Sequence, residues 1–181
     1  MIGSRCSFSY LPAKKWWMRP FEFMAKCQEN TIQEQYTHGV RLFDLRIRFD
    51  DRGRPYVCHG LLVYRMTEEE LLKELDWINS MGDCFVRVLL ETMKVHLNGN
   101  LGVYQEECFV KWCSELERFY HNIKFTGGES KVIQKVAYDF KTETQPTIKE
   151  GSSTWWPKLR FLIKGREKEK ENVDFNLIDF I

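Results

Sequence analysis

The sequence predicts an α/β fold with a largely parallel sheet. Three observations carry this. Strand-like and helix-like segments alternate along the chain. The segment Phe85–Leu90 is apolar except for Arg87, as in a strand buried on both faces. The chain is 181 residues long and 43% hydrophobic, which suits one domain with a substantial core.

The elements follow in order. Residues 2–10 read as a short strand running into a loop that holds Lys14, Lys15, Trp16, Trp17 and Arg19. Residues 31–38 form a short helix, with Ile32 and Tyr36 four apart and Gly39 as its stop. Val40–Phe49 is a strand, and the turn Asp50-Asp51-Arg52-Gly53 leads to another over residues 55–58. Thr67-Glu68-Glu69-Glu70 makes a capping box for a helix with Leu71, Leu72, Leu75 and Ile78 on one face, ended by Gly82.

A second long helix spans residues 104–120, with Phe109, Trp112, Cys113, Leu116 and Tyr120 at helical spacing. Residues 122–125 read as a strand closed by Gly127-Gly128, and residues 141–153 as a polar surface loop. Pro157 sits in the first turn of a helix over residues 154–163. The charge run 164–171 is mixed in sign and reads as a solvated helix end, and residues 175–181 are a final strand. A closed eight-stranded barrel usually takes ~250 residues and at least ~200. This chain would be a trimmed one.

Composition excludes several classes. Lys and Arg number 27 against 26 Asp and Glu, a net charge of +1, which argues against an electrostatically driven nucleic-acid binder. No apolar run approaches the ~18–20 residues of a membrane span. The opening MIGSRCSFSY has no apolar core or cleavage site of an export signal. Six cysteines are scattered without a CxxC pair, and no His and Cys fall at zinc-ligand spacing. The expectation is a cytoplasmic protein with free thiols and no bound metal.

The chemistry concentrates on the strand Val40–Phe49. Phe43, Leu45, Ile47 and Phe49 share one face; Asp44, Arg46 and Arg48 share the other. A charged row there either faces solvent at a sheet edge or points into a polar site. The next strand ends in His59-Gly60, and Phe85–Leu90 runs into Glu91. Three successive strands thus deliver Asp44 and Arg46, His59 and Glu91 towards carboxyl ends, where parallel sheets place active sites. Separately, Lys14 to Arg19 interleaves cations with Trp16 and Trp17. That pattern suits a lipid headgroup surface or tryptophans packed under a loop that covers a barrel mouth.

At these positions the chain resembles the X-domain of phosphatidylinositol-specific phospholipase C and its phosphodiesterase relatives. The resemblance runs through Cys27-Gln28, Thr31-Ile32-Gln33-Glu34-Gln35, Gly39-Val40-Arg41-Leu42-Phe43-Asp44-Leu45-Arg46 and His59-Gly60. The family's opening motif, G-[ST]-H-[DN]-S, aligns with Gly3-Ser4-Arg5-Cys6-Ser7, and its closing Asp-Phe pair with Asp179-Phe180. It implies a shortened or distorted (β/α) TIM-type barrel over residues 1–181, acting on a phosphoinositide or related phosphodiester. In such enzymes one histidine deprotonates the inositol 2-hydroxyl, which attacks phosphorus, and a second protonates the leaving oxygen. An arginine or a calcium ion stabilises the phosphoryl oxygens.

By the same resemblance, His59 matches the general acid and Arg46 the arginine of metal-independent members. Asp44 matches an acidic neighbour, and Asp179 the carboxylate that orients the first histidine. Glu91 falls where calcium-dependent members place a ligand. The chain departs from the family at the first histidine, which is Arg5, and at the following Asp or Asn, which is Cys6. Arginine does not act as a base at neutral pH. An Arg5–Asp179 ion pair and an Arg46–Glu91 ion pair are expected instead, leaving calcium disfavoured and no cofactor needed, with Arg5, Arg46 and Glu91 as the phosphate-binding residues and His59 as donor. Two functions follow: a phosphodiesterase using His59 and Arg46, or a non-catalytic barrel that binds phosphate or serves in an assembly. The bare final strand implies self-association or a partner.

Overall fold

The computed structural model describes residues 1–91, 100–127, 138–141, 146–150 and 173–179. Eight strands form one sheet: β1 (Ile2–Ser4), β2 (Val40–Phe49), β3 (Pro55–His59), β4 (Leu62–Val63), β5 (Phe85–Leu90), β6 (Lys124–Thr126), β7 (Ile148–Glu150) and β8 (Phe175–Ile178). Six of them run parallel in the order β6-β5-β2-β1-β8-β7. The other two, β3 and β4, form an antiparallel extension laid on the far end of β2. Among the described residues nothing pairs β6 with β7, so the sheet is open. The architecture is mixed α/β.

Among the described residues three α-helices flank the sheet: α1 (Ile32–Thr37), α2 (Glu68–Met81) and α3 (Asn100–Phe119). The first two begin with full capping boxes, Thr31 with Glu34 and Thr67 with Glu70, which satisfy otherwise orphaned backbone N–H groups. Gly82 ends α2 at φ +74°, a conformation that favours glycine. Leu71, Leu75 and Ile78 of α2 are buried, as are Phe109, Trp112, Cys113 and Leu116 of α3. These side chains pack with Phe43, Leu45, Ile47 and Phe49 from one face of β2 into the main core. A smaller apolar cluster of Leu42, Phe175 and Leu177 lies apart from it, with Phe85 and Ile148 packed against it.

Several elements differ from the sequence reading. The strand expected over residues 2–10 ends at Ser4, because residues 5–10 turn and hydrogen-bond to β2. The loop around Trp16 and Trp17 contains a 3-10 helix, Trp16–Met24. The strand expected over 122–125 is Lys124–Thr126, and β7 crosses the stretch expected to be a surface loop. The predicted helix over 154–163, the charge run 164–171, Gly128 and Phe180 lie outside the described residues. The largest correction concerns β3, which runs antiparallel to β2 rather than with it. Asp50 causes this reversal, its Oδ1 accepting from the N–H groups of Arg52 and Arg54, with Gly53 at φ +74° completing a tight turn.

Candidate functional site

The charged row of β2 does not lie on an edge. The strand sits between β1 and β5 and also carries β3, so Asp44, Arg46 and Arg48 are all buried. Buried charges need partners, and the neighbouring strands supply them. Parallel register sets Asp44 opposite Arg87 of β5, with Arg87 Nη1 3.8 Å from Asp44 Oδ1. Arg46 Nε donates to Asp44 Oδ2 at 2.9 Å, and its Nη1 lies 3.3 Å from Glu91 Oε2. Glu91 Oε1 in turn accepts from the Gly60 N–H at 2.9 Å. Arg48 closes this wall by donating from Nε to the Glu91 carbonyl at 2.6 Å and from Nη2 to the Gly60 carbonyl.

A second wall rises where β1 and β8 end. Arg5 follows β1, Asp179 follows β8, and the guanidinium donates to the carboxylate at 2.8 Å with both side chains buried. Gln28 holds the two strand ends together, its amide donating to the Ile178 carbonyl at 2.8 Å and the Arg5 carbonyl at 3.3 Å. The turn after Arg5 is fastened to β2: the Cys6 N–H donates to Asp44 Oδ2 at 3.0 Å, and the Ser7 hydroxyl accepts from the Asp44 N–H at 2.7 Å. Cys6 takes φ +46°, alone among the described non-glycine residues in the left-handed region. Asp44 therefore joins the two walls.

His59 comes from the return strand. Although β3 runs antiparallel to β2, His59 at its carboxyl end is brought beside Cys6, two residues past the end of β1. Its Nδ1 lies 2.9 Å from the Ala25 carbonyl, which can only accept, so Nδ1 carries a proton. A ring nitrogen of His59 and the sulfurs of Cys6 and Cys27 lie within 4.8 Å of one another. Cys27 is itself placed by Ser9, whose hydroxyl accepts from the Cys27 and Gln28 N–H groups at 2.9 Å.

The electrostatics follow from this crowding. Burial alone would raise the Cys6 thiol, but its hydrogen bond with Cys27 and the charges of Arg46 and His59 outweigh burial and hold it well below the usual thiol range. The hydrogen bond with Cys6, then burial, pushes the Cys27 thiol up. Burial opposes protonation of His59, yet Cys6 beside it raises the imidazole above its ordinary value. Asp44 is held below the usual carboxylate range: burial works against its charge, and Arg46 and Arg87 more than offset it.

Every residue expected at the site is brought to this region. Asp44, Arg46, Glu91 and His59 meet around β2, and Arg5 meets Asp179 across β1 and β8. The Arg46 guanidinium occupies the space between Asp44 and Glu91. Those carboxylates thus face a cation of the protein's own, and the donor set does not fit calcium. The Ser9 hydroxyl and the Arg87 guanidinium complete the site beyond the residues to which the sequence assigns a role. For Arg87 a signal existed, because an arginine inside an otherwise apolar parallel strand must find a carboxylate on the next strand. A separate cavity lies at the opposite, amino-terminal end of β5 and β6, lined by Phe85, Tyr120, Lys124 and Tyr138. None of the candidate residues lines it.

No known family's sequence model matches the chain, and no curated protein matches it. Solved structures do. The phosphatidylinositol-specific phospholipase C from Listeria monocytogenes matches with a TM-score of 0.51 at 14% identity, over 84% of this chain and 62% of that one. A double mutant of the phosphatidylinositol-specific phospholipase C from S. aureus matches with a TM-score of 0.42 at 22% identity, over 50% of this chain and 29% of that one. This chain spans less than two thirds of the length of either. The Listeria match shows a fold like that of phosphatidylinositol-specific phospholipase C.

Proposed function

We propose that the protein acts on a phosphodiester, of the phosphoinositide class, in the charged pocket of a distorted, shortened (β/α) barrel. In this reading His59 donates a proton to the leaving oxygen and Arg46 stabilises the phosphoryl oxygens. Asp44 and Glu91 orient Arg46, and the Arg5–Asp179 pair forms the second wall. One observation carries the reading. Among the described residues the buried charges are Arg5, Arg46, Arg48 and Arg87 against Asp44, Glu91 and Asp179, one cation in excess. A desolvated surplus of positive charge, gathered where the parallel strands end, suits an anionic phosphoryl group.

The two-histidine scheme lacks its base, since Arg5 stands where the first histidine belongs and is bound to Asp179. That pairing favours a second reading, in which the pocket binds a phosphodiester without cleaving it. A turnover assay on a panel of phosphodiesters, with and without calcium, separates the two. The parent should cleave a phosphoinositide, His59→Ala should lose ~10²–10⁴-fold in rate, and Arg5→His should gain by setting an imidazole against Asp179. If the parent and Arg5→His are both folded and inert, the catalytic reading is rejected.

The same reading includes contact with a membrane surface. Trp16, Trp17, Phe21 and Phe23 are 78%, 51%, 51% and 40% exposed along the 3-10 helix, and Lys15 Nζ lies 5.5 Å over the Trp17 ring. The helix leads into Ala25, whose carbonyl holds His59. Flotation with phosphoinositide-containing vesicles should carry the parent up and leave a Trp16→Ala, Trp17→Ala variant behind. Equal flotation of both would reject the contact.

A further inference from the structure

We propose that Cys6, Cys27 and His59 form a binding site for a soft divalent cation, of which Zn²⁺ is the test case. Three segments remote from one another in sequence bring two sulfurs and an imidazole nitrogen within 4.8 Å. A zinc ion holds such donors at ~2.0–2.3 Å, so the cluster needs only a small closure around it. Spacing along the chain could not reveal this set, because the fold alone assembles it.

The surroundings match what a metal site requires beyond its ligands. The Nδ1–H of His59 is committed to the Ala25 carbonyl at 2.9 Å, which leaves the lone pair of the neutral ring on Nε2. A ligating histidine is commonly oriented through its other nitrogen in this way. Both cysteines are fixed through their backbones, Cys6 by Asp44 Oδ2 at 3.0 Å and Cys27 by the Ser9 hydroxyl at 2.9 Å. Arg5 Nη2 lies 4.0 Å from the Cys27 sulfur. Two thiolates would neutralise a divalent ion inside a pocket that is nearly closed to water, with Cys27 0% and Cys6 4% exposed. Sulfur donors select zinc, cobalt or copper over calcium and magnesium. Three protein ligands leave a fourth position for water or another oxygen donor.

The site shares His59 with the phosphodiesterase reading, and in that respect alone rests on it: a ring whose Nε2 is bound to metal cannot donate that proton, so the loaded form would be the inactive one. The test does not depend on turnover. The reduced, chelator-stripped full chain is titrated with Co²⁺, and one equivalent should produce thiolate-to-cobalt charge transfer with tetrahedral d–d bands, both bleached by Zn²⁺. X-ray absorption at the zinc edge should then show two sulfurs at ~2.3 Å together with nitrogen or oxygen at ~2.0–2.1 Å. Loss of an outer-shell group costs ~10–100-fold in affinity, so Cys27→Ser, which removes a ligand, should cost more than ~100-fold. Cys108→Ser, on α3, should change nothing.

Absence of charge transfer, a shell without sulfur, or equal weakening by Cys108→Ser would overturn the proposal. Should Cys27→Ser fail to fold by circular dichroism, the absorption shell of the parent still decides. An inert enzyme with the expected metal spectrum would remove the catalytic reading and leave the metal site standing.

Discussion

The two faces of β2 are built from neighbouring residues on opposite terms. On one, Phe43, Leu45, Ile47 and Phe49 pack under α2 and α3, where each buried side chain contributes roughly 1.5–3 kcal/mol. On the other, Asp44, Arg46 and Arg48 are equally removed from water, and desolvation opposes them. Ion pairing with Arg87 and Glu91 offsets that cost without guaranteeing a profit. The comparison sets a face whose burial stabilises the strand against one whose burial is by itself weak evidence for stability.

Mutation can test this difference. The largest effects are expected at adjacent positions: Phe43→Ala and Asp44→Ala should each cost about 3–5 kcal/mol in chemical denaturation, the first by leaving a cavity and the second by removing the buried carboxylate that faces Arg46 and Arg87. Similar costs with opposite causes would confirm the contrast. An Asp44→Ala midpoint equal to the parent's would erase it.

A sharper probe uses the second wall. Asp179→Ala should destabilise by about 3 kcal/mol, whereas Arg5→Met combined with Asp179→Leu should return to within about 1 kcal/mol of the parent. No second substitution should rescue Phe43→Ala in the same manner. Failure of the double variant to recover would mean that the pair supports the fold itself. The smallest effect belongs to Glu91→Gln, which keeps an acceptor for the Gly60 N–H but gives up the charge facing Arg46. It should cost about 1–3 kcal/mol by thermal or denaturant unfolding.

Much of this arrangement was legible in the residues. The alternation in β2 announced its two faces, the Thr31/Glu34 and Thr67/Glu70 boxes announced two helix starts, and the family resemblance drew Arg5, Arg46, His59, Glu91 and Asp179 together. What escaped was set by tertiary placement. Cys6 and Cys27 read only as two of six scattered free thiols, since nothing local says that a turn and a loop will face the same imidazole. Arg87 required the parallel register of β5. The direction of β3 was readable after all, because the few residues of the turn around Asp50 to Gly53 cannot make a parallel crossover, which takes a dozen or more.

That tight reversal has a consequence of its own. Side chains alternate along β3, so register and loop length are coupled, and one residue inserted between Asp50 and Arg54 would slide the strand by a single step. The imidazole would swing to the far side, and Cys58 or Gly60 would be presented in its stead. The side chain that meets Cys6 and Cys27 in this interior is thereby tied to the length of an exposed bend remote from it.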